Sequence, residues 1–142
     1  MTGFLLDTNC VCELVRIEPD PCVLSWVRAA DENLLDLSVL TLGEIRRGAA
    51  LLPAGRRRIE VEKWLETELP TQFADRLLPI NAEIAEVWGS MAGQTRLKGI
   101  TIPIIDGLIA ATAKHHDLTI VTRNVKDFRM WGIPVTNPWE PA

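Results

Sequence analysis

Four carboxylates stand where this chain changes character. Asp7 closes the short apolar run Phe4-Leu5-Leu6, and Glu44 follows Thr41-Leu42-Gly43. Asp106 is the only charge in the apolar stretch from Pro103 to Ala113, and Asp127 follows Leu118–Val121 within Thr122-Arg123-Asn124-Val125-Lys126-Asp127. Each has an ordinary structural use. Asp7 with Thr8 suits a helix cap, because a side-chain oxygen there accepts a free amide. Thr41 and Glu44 have the spacing of a capping box. Asp106 suits the positive end of a helix, and Asp127 suits a solvated loop. Asp106 is the hardest to explain this way: an unpaired carboxylate desolvated among Ile102, Ile104, Ile105, Leu108 and Ile109 costs several kcal/mol or gives up its charge. A hard divalent cation, Mg²⁺ or Mn²⁺, removes the difficulty by taking carboxylate oxygen and relieving repulsion between clustered acids. Together the four acids point to a metal site.

The elements that position them follow from hydrophobic spacing. Phe4-Leu5-Leu6 reads as a strand, and Val11, Leu14 and Val15 continue at helical spacing. Pro19 and Pro21 break the chain and open a second helix carrying Val23, Leu24, Trp26 and Val27. A second strand is expected over 34–38, helices over 42–52 and 56–69, and a third strand over 77–80. The spacing of Ile84, Ala85, Trp88, Met91 and Ala92 predicts a helix over 82–97, and Pro103 opens another over 104–114. Leu118-Thr119-Ile120-Val121 has the nearly continuous apolar character of a strand buried on both faces, and a last strand is expected over 133–135. Alternation of strands and helices in one short chain argues for a three-layer α/β/α fold with a mostly parallel sheet of about four to five strands. Functional groups then belong beyond the carboxyl ends of the strands.

Composition narrows the function. The 142 residues are 47% hydrophobic and 24% charged, which excludes disorder and leaves room for one core, read as a single domain over 1–142. A net charge of −4 excludes a general basic coat for nucleic acid. No apolar run reaches the ~18 residues of a membrane span, and Asp7 cuts short the apolar start that a secretion signal would need. Cys10, Cys12 and Cys22 are an odd number in one short segment, which suits small core residues in a reducing compartment rather than a disulfide framework. The chain is therefore expected to be cytoplasmic. It has no phosphate-binding glycine loop, no dinucleotide fingerprint, no H-E-x-x-H and no G-x-S-x-G.

The ordered set of these segments resembles the PIN-domain ribonucleases, most closely the VapC toxins of bacterial type II toxin–antitoxin pairs in their FitB-like branch. The likeness runs through Phe4-Leu5-Leu6-Asp7-Thr8-Asn9, Leu40-Thr41-Leu42-Gly43-Glu44-Ile45-Arg46-Arg47-Gly48 and Ile105-Asp106-Gly107-Leu108-Ile109-Ala110-Ala111-Thr112-Ala113. It continues through Val121-Thr122-Arg123-Asn124-Val125-Lys126-Asp127-Phe128 and Asn137-Pro138-Trp139. The resemblance implies a PIN-domain sandwich in which Asp7, Glu44 and Asp106 bind Mg²⁺ or Mn²⁺. Asn124 holds the place where the family often carries a fourth acid, with Asp127 as the alternative source of that charge. Thr8, Asn9 and Thr122 are implied to hold the carboxylates in place.

The implied reaction is endonucleolytic hydrolysis of RNA by water activated at the metal, leaving 5′-phosphate and 3′-hydroxyl ends. The implied partners are a cognate antitoxin and a second copy of the chain, as a homodimer or within a toxin–antitoxin hetero-oligomer. An alternative reading is a catalytically weak PIN module that acts mainly by binding a partner protein. Arg46 and Arg47 are candidates for contact with RNA or partner. The run Arg56-Arg57-Arg58, close to Glu60, Glu62 and Glu66, reads as an ion-paired helix face. His115 and His116 suit a helix C-terminus, and most of the five tryptophans suit packing.

Overall fold

A computed structural model describes residues 2–141. The chain runs β1 (Phe4–Leu6), α1 (Thr8–Leu14), α2 (Pro21–Ala29), a 3₁₀ turn (Glu32–Leu34), β2 (Leu35–Ser38), α3 (Val39–Leu51), α4 (Arg56–Glu66) and α5 (Glu68–Gln72). It continues β3 (Leu77–Leu78), α6 (Ala82–Leu97), α7 (Ile104–His116), β4 (Thr119–Val121), α8 (Val125–Met130) and β5 (Val135–Thr136). The five strands form one sheet in the order β3-β2-β1-β4-β5, and every pairing is parallel.

Alternation along β1 divides the interior into two halves. Leu6 faces a core with Val11, Val23, Leu37, Val61 and Leu65, drawn from the sheet and from α1, α2 and α4. Leu5 faces the other core, with Ile84, Ile109, Ala110, Ile120 and Phe128 from α6, α7, β4 and α8. Successive side chains of a strand point to opposite faces, so this pattern makes the α/β/α sandwich that the alternation of elements predicts. The strand order turns back between β1 and β4. At such a switch point the connections leave in opposite directions and open a crevice at the carboxyl ends.

Several boundaries differ from the expected ones for local reasons. The third helix starts at Val39, because the Ser38 hydroxyl accepts the Leu40 N–H at 3.1 Å and caps it. Thr41 and Glu44 therefore lie inside the helix, and the expected capping box is not formed. The single helix expected over 56–69 is two, broken at Thr67, and Pro70 is the third residue of α5, where an N–H has no intrahelical partner to lose. Residues 125–130 form a short helix where the sequence reads as loop, so Asp127 is a first-turn helical acid. β3 ends at Leu78, α7 runs on to His116, and β5 is shifted to Val135–Thr136.

Candidate active site

The β1–β4 register pairs Leu6 with Val121, and the Asp7 N–H extends that ladder by donating to the Val121 carbonyl at 2.9 Å. Asp7 is thereby brought beside Thr122 across the switch point. Its carboxylate is 5% exposed. One oxygen accepts the Thr8 N–H at 2.9 Å, which caps α1; the other accepts the Thr122 hydroxyl at 2.8 Å. Asn9 completes the cradle: its side-chain amide lies 3.1 Å from the Thr122 hydroxyl and 3.4 Å from Asp7, and its carbonyl accepts the Arg123 N–H at 3.4 Å. The Asn124 N–H donates to the Thr122 hydroxyl at 3.0 Å, whereas the Asn124 side chain makes no hydrogen bond among the described residues.

Glu44 reaches the same place from α3. The Thr8 hydroxyl donates to its carboxylate and lies 3.2 Å from the hydroxyl of Thr41, which is buried. Threonines at the start of α1 and one turn into α3 thus fix the side chain of Glu44 relative to Asp7. Asp106 enters from the first turn of α7 and Asp127 from the first turn of α8. The flanking isoleucines do not enclose Asp106 as the sequence implies: Ile104 is 64% and Ile105 38% exposed.

The acids act on one another. Burial pushes the Asp7 carboxyl up to about 6 against the hydrogen bonds from Thr122 and Thr8, and the charges of Asp106 and Glu44 add to the rise. Asp106 is raised as well, first by burial and then by Glu44 and Asp127. The four carboxylates are therefore electrostatic neighbours at the carboxyl ends of the strands. No three His, Cys, Asp or Glu side chains among the described residues are close enough to form a ready coordination shell. Burial is the first cause of the rise at both Asp7 and Asp106, and the neighbouring carboxylate charges add to it. The donor set is all oxygen, and Asp106 makes no hydrogen bond among the described residues that a ligand would have to break. Both properties fit a hard divalent cation.

The remaining candidates divide. Arg46 is taken up by Glu62 and Glu66 of α4, at 3.9 and 3.7 Å, and ties α3 to α4. Arg47 is exposed and has no ion pair among the described residues. Arg56, Arg57 and Arg58 pair with Glu60 and Glu62 along their own helix, as their spacing predicts. His115 lies 3.8 Å from Glu83, at the opposite end of α7 from Asp106. The three cysteines are free thiols; burial pushes Cys10 up to about 12 and raises Cys12. Trp26 packs edge-on to Phe4, and Trp131 to Phe128.

Sequence reasoning passes over Glu13, which is 4% exposed. It accepts the Trp139 indole N–H at 3.3 Å and the Asp20 N–H at 3.2 Å, and pairs with Arg16 at 3.3 Å. Its only signal is an acid in the last turn of a helix, opposite to the dipole preference.

A parallel α/β sandwich with clustered acids at its switch point is the architecture of the PIN domain, whose family description matches residues 4–130, and the chain belongs to that family. It is 39% identical over 138 residues to the VapC ribonuclease Y4jK of Sinorhizobium fredii, covering 97% of this chain and 99% of that protein. Toxin FitB of Neisseria gonorrhoeae is 36% identical over 135 residues, or 95% of this chain and 97% of that one. The crystal structure of FitAcB from the same organism superposes with a TM-score of 0.90 at 35% identity, covering 97% of this chain and 99% of its counterpart.

Proposed function

We propose that the chain, as one domain over 1–142, is the toxin of a type II toxin–antitoxin pair and a divalent-metal-dependent endoribonuclease. The observation that carries this is the placement of Asp7 and Glu44, joined through Thr8, at the carboxyl ends of a parallel sheet, with Asp106 and Asp127 in the first turns of α7 and α8. In this reading Asp7, Glu44 and Asp106 hold Mg²⁺ or Mn²⁺. Asn124 offers a free side-chain carbonyl, and Asp127 adds negative charge next to Asp106. A bound divalent cation supplies charge neutralisation at the phosphoryl oxygens and an activated water for in-line attack.

The chain's own residues supply position. Thr122 and Thr8 fix the Asp7 carboxylate by donating to it and offset part of the rise that burial causes. Thr8, backed by Thr41, orients Glu44. Asn9 links the α1 start to the Thr122-Arg123-Asn124 turn, so both sides of the site move together. Exposed Arg47 is the better placed of the two rim arginines to meet RNA or a partner, since Arg46 is already paired.

The antitoxin is expected to lay a segment over this anionic pocket, with a basic side chain on the carboxylates. Assembly is read as a homodimer, or a hetero-oligomer with the antitoxin, acting in the cytoplasm; no described helix is long and apolar enough to cross a membrane. Asn124 at an acid's usual place favours the alternative, a weakly catalytic binding module. One assay separates the two. Labelled RNA incubated with purified protein should be cut in Mg²⁺ or Mn²⁺ and left intact in excess chelator. Equal cleavage in chelator, or none in either metal by antitoxin-free protein that still binds added antitoxin, rejects the nuclease reading.

A further inference from the structure

One basic side chain on the turn that holds Asp7 is seated on an aromatic ring. Arg123 lies between Thr122, whose hydroxyl donates to Asp7, and Asn124. Its backbone N–H donates to Asn9, so its Cα is fixed to the turn that builds the site. The side chain is exposed, and its guanidinium carbon lies 4.5 Å from the centroid of the Trp139 ring. It forms no ion pair among the described residues.

Trp139 is itself anchored. Its indole N–H donates to the buried Glu13, its backbone N–H donates to the Asn137 side chain at 2.9 Å, and its ring packs against the first core. An arginine one residue from Thr122, whose hydroxyl donates to Asp7, is attracted toward the acids, where it would compete with a cation. A fixed aromatic face offers it another seat and leaves the edge donors of the guanidinium free.

We propose that Arg123, seated on Trp139, binds a backbone phosphate of the RNA strand flanking the bond to be cut. Trp139 is then a positioning residue that keeps the guanidinium out of the carboxylate cluster. The inference rests on the ribonuclease reading and adds to it a phosphate subsite. The chemistry favours a polyanion: in a chain of net charge −4, substrate phosphates approaching the acids gain most from an unpaired cation on the same turn.

The test measures initial rates against concentration of a single-stranded RNA oligonucleotide in Mg²⁺ at several KCl concentrations. Arg123→Gln should raise KM about tenfold with kcat within about twofold, and should reduce the slope of log kcat/KM against log salt by roughly one. Arg123→Lys should recover part of the KM. By calorimetry, Mn²⁺ affinity should stay unchanged in Arg123→Gln, fall in Trp139→Ala, and return in the double variant. Unchanged KM and salt slope in Arg123→Gln overturn the proposal, as does weakened antitoxin binding at unchanged KM, which assigns the residue to a protein contact. Wild-type protein that cuts no RNA in either metal refutes the ribonuclease reading, and this substrate with it.

Discussion

Asp7 meets two demands that oppose each other. In the proposed site it must be ionised to hold a cation, yet it is buried beside two other acids, and its carboxyl is pushed up to about 6 from an ordinary 3.8. The folded state therefore keeps the proton that the unfolded chain has already lost. The protonated form stabilises the metal-free protein fully below the unfolded value, and that contribution is lost as pH rises from about 4 through 6. The shift corresponds to about 3 kcal/mol above pH 6. Metal-free Asp7→Asn should thus be more stable than wild type at pH 7.5, with the gap closing toward pH 4, because both then carry a neutral group. Melting curves at the two pH values check this, and a constant gap would show that desolvated charge is not the cause. Asp106→Asn follows the same logic: the metal-free fold stays as stable or gains, while Mn²⁺ binding weakens and cleavage is largely lost. If Asp106 is only a helix-dipole acid, the variant melts lower and still cuts RNA.

At the scale of elements, α6 and α7 lock through a residue next to the site. A Cβ on Gly107 would lie 3.0 Å from two atoms of the Trp88 indole and 3.2 Å from Ile102. The helix packs that closely because residue 107 has no side chain, and Asp106 is its neighbour. Gly107→Ala gains about 1 kcal/mol of helix propensity, but overpacking costs about 1–3 kcal/mol, so a net loss is expected. Cleavage should fall with it as Asp106 is displaced, and Trp88→Leu in the same chain should restore part of both. Unchanged melting and activity in Gly107→Ala would show that the Trp88 ring yields freely. Other features at this scale were open to the sequence to different degrees. Phe4–Leu6 and Leu118–Val121 were readable because buried parallel strands are apolar throughout. The start of α3 was not, since Ser38 and Thr41 both have cap chemistry and only the end of β2 chooses between them. The helix over 125–130 is too short for periodicity to register. Asp7 and Asp106 are legible as acids at element boundaries and Glu44 as an acid near one, although it lies inside α3, whereas Glu13 and the Arg123–Trp139 contact depend on residues that meet only after folding.

For the whole molecule, the proposed site makes cation and proton compete for the same carboxylates. Saturating Mn²⁺ at about a hundred times its Kd should add about 2.7 kcal/mol, which for a chain of this length raises Tm by roughly 5–11 °C. The gain should be larger at pH 8 than at pH 5.5, where Asp7 holds its proton; an equal gain at both would place the ion elsewhere. The sheet order has a separate bearing on how the protein is made. β1 leads the chain but lies at the centre of the sheet, and its β4 partner, together with the Thr122 hydroxyl that holds Asp7, comes 115 residues later. At a synthesis rate of about 5–20 residues per second, that interval lasts roughly 6–23 s. Through it the first strand has one of its two neighbours missing, and the acids of the site have no common frame. A ribosome-bound chain stopped before Thr119 should bind no Mn²⁺ and cut no RNA, while release of the full chain should bring both at once. Cleavage by the stalled fragment would contradict this order. Such a protein is harmless to the RNA around it for almost the whole time it is being translated, and any inhibitor made beforehand meets it as the site forms.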